Sequence, residues 1–191
     1  MYSGVISSIL EQYSICKAVI ISGLHGDEPA GNEAAKCFKD VEGITVIRNI
    51  NRTGKRRDGR VDLNRQFGKG NDKTDKILDV IKKKSPVVVI SLHEDYDGEG
   101  VYVYCSSELS GLLKDILPKL NVKLVKSAYG DKAEKGVITN SKDPYPGTLE
   151  QVLDKMNIKH CTIETPTKWS YEERADIHRK IVSAIVKKLN S

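Results

Sequence analysis

A chain of 191 residues, 39% hydrophobic and 30% charged, has the length and balance of an ordinary soluble domain and can bury roughly 70% of the surface its unfolded form exposes. It needs neither disulfides nor a structural metal to supply a core, and it has no apolar run near the roughly 20 residues of a membrane span. The formal charge of +5 is spread over scattered lysines, including 82–84 and 187–188 near expected helix ends, where cations complement the helix dipole.

The N-terminus, MYSGVISSILEQYS, lacks a basic stretch followed by a long apolar one, so the expected location is the cytoplasm. Cys16, Cys37, Cys105 and Cys161 lie far apart with no C-x-x-C pair. Three of them sit inside or beside apolar runs, which suits small buried hydrophobes in a reducing compartment.

In chain order, an apolar run at 18–22 predicts a first strand, followed by the turn GLHGDEPAG and a helix over 30–39. A second strand is expected over 44–50, and it leads into the basic stretch NINRTGKRRDGRVDLNRQF. A helix over 74–83 precedes a strand over 87–92, which ends at His93. Strands at 101–105 and 122–125 flank a helix over 108–117. A helix over 149–156, a strand over 160–163 and a long helix over 171–189 complete the chain. There is no internal repeat or linker, so one domain spanning 1–191 is expected. Alternating strands and helices predict a three-layer αβα domain with a mixed, largely parallel sheet covered on both faces.

Ligands in such folds bind beyond the carboxyl ends of the strands. His25, Glu28, His93 and Glu164 all fall at or near such ends. A His₂Glu set is a known way to hold zinc and leave one position open. His25 and Glu28, three apart, can face one ion if the chain bends at Gly26 and if Pro29 starts the helix. The same H-x-x-E pair also suits a plain polar turn in which Asp27 or Glu28 caps the helix. His178, inside the last helix, reads as a surface residue. Alternation puts His160 on the face of Glu164, about 13 Å further down the strand at roughly 3.3 Å per residue.

The arginines at 52, 56, 57, 60 and 65 suggest either a solvated basic loop or an anion site. Nucleic acid is disfavoured, because only Phe67 supplies an aromatic ring near the run. The Asn64–Arg65 pair suits a planar carboxylate, with a guanidinium fork and an amide donor.

Taken in order, GLHGDEPAG, RDGRVDLNRQF, SLHED and TIETP resemble the zinc carboxypeptidase superfamily, which includes the succinylglutamate desuccinylase and aspartoacylase branch. The resemblance spans roughly residues 18–168. It implies zinc held by His25, Glu28 and His93, and a substrate carboxylate held by Asn64 and Arg65. It further implies that Arg57 polarises the scissile carbonyl, that Glu164 is the general base, and that Tyr145 in DPYPGTLEQVL takes the place of the family's mobile tyrosine.

Three functions remain open on the sequence. One is a zinc hydrolase that removes a C-terminal residue from a peptide or peptide-like conjugate, and a second is an N-acyl amino acid deacylase. The third is a non-catalytic binder of carboxylates or nucleic acid. The partner expected for an enzyme is a small carboxylate-bearing peptide or N-acyl amino acid, and no membrane is expected.

Overall fold

A computed structural model of the chain describes residues 16–139 and 146–189. Strand β1 (Ala18–Ser22) leads to helix α1 (Pro29–Lys36), strand β2 (Ile44–Ile47), a 3-10 turn at Leu63–Arg65 and helix α2 (Asp72–Lys84). Strands β3 (Val88–Asp95) and β4 (Tyr102–Cys105) precede helix α3 (Ser107–Ile116). A small hairpin follows, made of β5 (Ser127–Ala128) and β6 (Asp131–Lys132), and then strand β7 (Val137–Thr139). Helix α4 (Leu149–Lys155), strand β8 (His160–Pro166) and helix α5 (Tyr171–Leu189) end the described chain.

Six strands form one sheet in the order β2-β1-β3-β8-β4-β7. The first four run parallel, and β4 turns against β8 while pairing parallel with β7. Period-two alternation divides the core between the two faces. Ala18, Ile20, Ile90, Leu92 and Ile163 pack against α1, α3 and α5. Val19, Ile21 and Val89 meet Leu63, Phe67, α2 and α4 on the other side. Removing a fully buried Ile or Leu side chain from either layer forfeits roughly 2–5 kcal/mol. The architecture is thus the three-layer αβα arrangement with a mixed, mostly parallel sheet that the alternation predicts.

Several elements differ from expectation for visible reasons. Residues 122–125 make a single bridge, Val101 to Leu124, because β7 occupies the place beside β4 that a strand there would need. β2 stops three residues early, shortly before the left-handed backbone of Asn49 (φ 54°). β3 runs on through His93, Glu94 and Asp95, since its ladder with β8 continues to Pro166. His178 is buried rather than exposed, at 0% accessibility. It falls in phase with Ala175, Ile181, Val182 and Ile185 on the inward stripe of α5. Among the described helices none is long and apolar enough to cross a membrane.

Candidate metal centre

β1, β3 and β8 lie close together in the sheet and run the same way, β3 between the other two, so their carboxyl ends open onto one place. β1 is broken by Gly23, whose φ of 75° turns the chain sharply out of the sheet. Its carbonyl accepts from Asn51 N at 2.8 Å, and Gly26 N donates to Lys55 O at 2.9 Å. Gly26 is needed for closeness: a Cβ there would stand 2.8 Å from Lys55 O and 3.0 Å from Asn51 O. The turn holding His25 is therefore sewn to the loop that follows β2.

Glu28 is the N-cap of α1, with Pro29 in the first turn, yet its side chain makes no capping bond. The helix amide at Ala30 is satisfied instead by Glu94 Oε1, 2.7 Å away, from the far strand β3. Glu94 is also paired to Arg174 of α5. Relieved of capping, the Glu28 carboxylate lies between two imidazoles. Oε1 is 2.6 Å from His25 Nδ1, and Oε2 is 2.9 Å from His93 Nδ1. All three residues are at most 3% exposed, and the two rings meet edge to face at 5.0 Å.

The donor atoms of His25, Glu28 and His93 fall within 4.8 Å of one another. The electrostatics describe a place that favours positive charge. Burial works against a charged His25, but hydrogen bonds to Asp62 and Glu28 outweigh it and push its pKa up to about 9. His93 is likewise raised by Glu28 against the effect of burial. Burial would raise Glu28, but the two imidazoles override it and hold the carboxyl well below the usual carboxylate range. His93 Nε2 is buried with no hydrogen-bond partner. On the outer side, His25 Nε2 lies 3.1 Å from Asp62 Oδ1, the carboxylate–histidine pairing that orients a ligand ring. Two imidazoles, a carboxylate and this support fit a divalent cation of zinc type.

Glu164 stands directly beside His93 in the β3–β8 register, on the same face of the sheet. Burial, countered by His93 and reinforced by the carboxylates of Glu28, Asp95 and Glu150, pushes its pKa up to about 8. Asn64 is buried in the 3-10 turn, and its Oδ1 accepts from Leu149 N at 3.1 Å, which leaves the amide nitrogen as the end free to donate. Arg65 is partly buried beside it, with Nη1 on Asn64 O at 2.7 Å. Arg57 is exposed, and it is Arg56 whose Nη1 reaches Glu28 Oε1 at 3.3 Å. Tyr145 lies outside the described residues. His160 sits down the strand, with Nε2 2.9 Å from Asp154 Oδ1 and away from the ligand set.

The residue motifs alone did not single out Asp62, Arg56 or the phenols near the site. Asp62 carried a signal, since it lies two residues before Asn64 and its Oδ1 accepts from Asn64 N at 2.9 Å. Tyr129 has none in the sequence. It sits on the β5–β6 turn and donates to Asp95 Oδ1 at 2.7 Å, while Tyr102 donates to Asp95 Oδ2 at 2.8 Å.

No protein-family model matches the chain, and no curated protein matches it. Solved structures do. A putative metallopeptidase from Shewanella denitrificans superposes with a TM-score of 0.74 at 21% identity, over 90% of this chain and 74% of that one. A metallo-carboxypeptidase from Burkholderia cenocepacia gives 0.68 at 16% identity, over 94% of this chain and 58% of its own. The murein-tripeptide amidase MpaA from Escherichia coli O157 gives 0.62 at 19% identity, over 93% and 82%. The chain shares the fold of these metallopeptidase, metallo-carboxypeptidase and amidase structures, and its His-Glu-His cluster sits at the carboxyl ends of its own parallel strands.

Proposed function

We propose that the protein is a zinc-dependent hydrolase that cleaves an amide bond next to a substrate carboxylate, in the manner of a carboxypeptidase acting on a peptide or peptide-like conjugate. The observation that carries this reading is the convergence of His25, Glu28 and His93 within 4.8 Å, with Glu164 on the neighbouring strand. His25, Glu28 and His93 would hold the metal through the atoms that now surround the Glu28 carboxylate, with Asp62 fixing the His25 ring. Zinc, when bound, supplies a Lewis acid that polarises a carbonyl and brings the pKa of a water molecule from 15.7 towards about 7.

The chain's own residues do the rest. Glu164 takes the proton of the attacking water and returns it to the leaving amine, a relay suited to a carboxyl whose pKa is raised towards neutrality. Asn64 donates its amide and Arg65 its guanidinium to the substrate carboxylate, which sets the register of the scissile bond. Arg57 swings from solvent to the carbonyl oxygen as charge develops there, and Tyr145, outside the described residues, is assigned to substrate binding. The four cysteines are free, in keeping with a cytoplasmic location, and residues 1–191 act as one catalytic unit.

A deacylase acting on N-acyl amino acids would use the same metal, base and clamp. A panel of blocked peptides ending in a free carboxylate, the same peptides ending in an amide, and N-acyl amino acids separates the readings. Turnover of the free-acid peptides, with the amides at least about 100-fold slower because the Asn64–Arg65 clamp has no anion to hold, is the expected outcome. Turnover of N-acyl amino acids alone would transfer the assignment to the deacylase. Equal turnover of acids and amides would remove the clamp.

A further inference from the structure

The positive charge of this chain is local. Between Arg48 and Lys76 there are ten lysines and arginines against four carboxylates, a surplus of six in a molecule whose formal charge is +5. The lysines elsewhere are balanced by acids, so the scattered pattern read from the sequence conceals one basic region. Within it lies an open groove of about 630 Å³, between the end of the edge strand β2, the loop after it and helix α2. Ile47, Ile50 and Ile77 contribute an apolar floor, and Arg48, Arg52 and Lys76 stand along it. Among the described residues none of these three cations has an ion-pair partner. Lys73, also on the groove, is paired to Asp58 at 2.5 Å.

We propose that this groove binds an acidic stretch of peptide on the substrate, lying next to the bond cleaved at the metal centre. The inference rests on the hydrolase reading above and names its substrate class. The groove and the centre share a wall: Asn49, Arg52 and Thr53 line the groove, while Asn51 and Lys55 of the same loop brace Gly23 and Gly26 beside His25. Methylene stems of glutamate side chains suit the isoleucine floor, and their carboxylates suit the cations above it. Nucleic acid fits less well, since no aromatic side chain lines the groove to stack on a base. Among the described residues β2 pairs only with β1, which leaves its outer backbone edge as a place for an extended peptide.

The test is equilibrium binding to the full-length Glu164→Gln variant in zinc-containing buffer, read by fluorescence anisotropy without turnover. The probes are fluorescein-labelled peptides of six consecutive glutamates, glutamines or lysines with a common C-terminal residue. The glutamate peptide is expected to bind at least about tenfold more tightly than the glutamine peptide at low salt, with the advantage shrinking at about 0.5 M. The combined variant Arg48→Glu, Arg52→Glu, Lys76→Glu should lose that advantage and come to prefer the lysine peptide. If thermal unfolding shows that variant misfolded, the matching glutamine substitutions should still remove most of the preference. Equal binding of the glutamate and glutamine peptides, no effect of the substitutions, or displacement of the glutamate peptide by an equal charge concentration of single-stranded RNA would overturn the inference. Should no peptide be cleaved by the parent protein while the binding preference holds, the carboxypeptidase reading fails and the groove stands.

Discussion

Glu28 occupies the position from which a carboxylate usually satisfies helix amides, and it leaves that work to Glu94, sixty-six residues away in sequence. That exchange removes Glu28 from the capping reading of HGDEPAG, since a plain cap would have turned the carboxylate to its own helix. The sequence could show both options but not the choice, because the choice depends on a strand that arrives from elsewhere. The arginines pose a similar question at this scale. Arg56 touches Glu28 and Arg57 faces solvent, so truncation should separate them. Arg57→Ala is expected to lower kcat by about 10²–10³ with metal content unchanged, the usual effect of losing one donor to a developing oxyanion. Arg56→Ala should leave kcat within about tenfold, because the Arg56 side chain is itself about half exposed to solvent. The reverse pattern in steady-state kinetics would move the carbonyl-polarising role to Arg56. Gly26→Ala forces its Cβ against the Lys55 and Asn51 carbonyls. It should lower the thermal midpoint through a loss of about 1–3 kcal/mol and weaken zinc binding together with it. An unchanged midpoint would mean that the loop is not packed against the turn.

At the scale of elements, the apolar runs located β1, β4 and the start of β8 closely, though β8 runs on three residues to Pro166, and the motifs fell where strands end. What periodicity could not show was which run pairs with which. Residues 122–125 are as apolar as a strand needs, but β7, only three residues long, holds the position beside β4. The burial of His178 was available from the spacing of Ala175, Ile181, Val182 and Ile185, and it was obscured by the charged residues on either side of it. Its Nε2 lies 3.1 Å from Thr165 Oγ1 on β8, and burial pushes its pKa down from 6.5 to about 3. In the unfolded chain the ring takes up a proton below about 6.5, whereas in the folded protein it does not until about 3. The contribution of His178 to stability is therefore full above pH 6.5 and is lost as the pH falls through that window. Denaturant titrations at pH 7, 6, 5 and 4 should show the decline, and His178→Gln should flatten it. A variant with the same acid slope as the parent would remove His178 as its source.

For the whole molecule, the parallel strands β1, β3 and β8 bring side chains from positions 25, 93 and 164 to one edge of the sheet. The structures that share its fold have no more than modest identity with it, so the likeness is one of topology. Helices on both faces exclude water from the sheet, and the only charged residues tolerated in its middle strands are those at that edge. His25, Glu28 and His93, which the fold brings together, could be named from the sequence because metal binding restricts residue types so severely. The basic groove was not legible, since it needs β2 and α2 brought side by side. The proposed hydrolysis depends on a bound metal, so zinc binding by the metal-depleted chain is the decisive measurement. Isothermal titration should give about one equivalent of zinc for the parent and for Glu164→Gln, with His25→Ala and His93→Ala weakened by at least about 100-fold. Unaltered zinc affinity in either histidine variant would contradict the proposed centre.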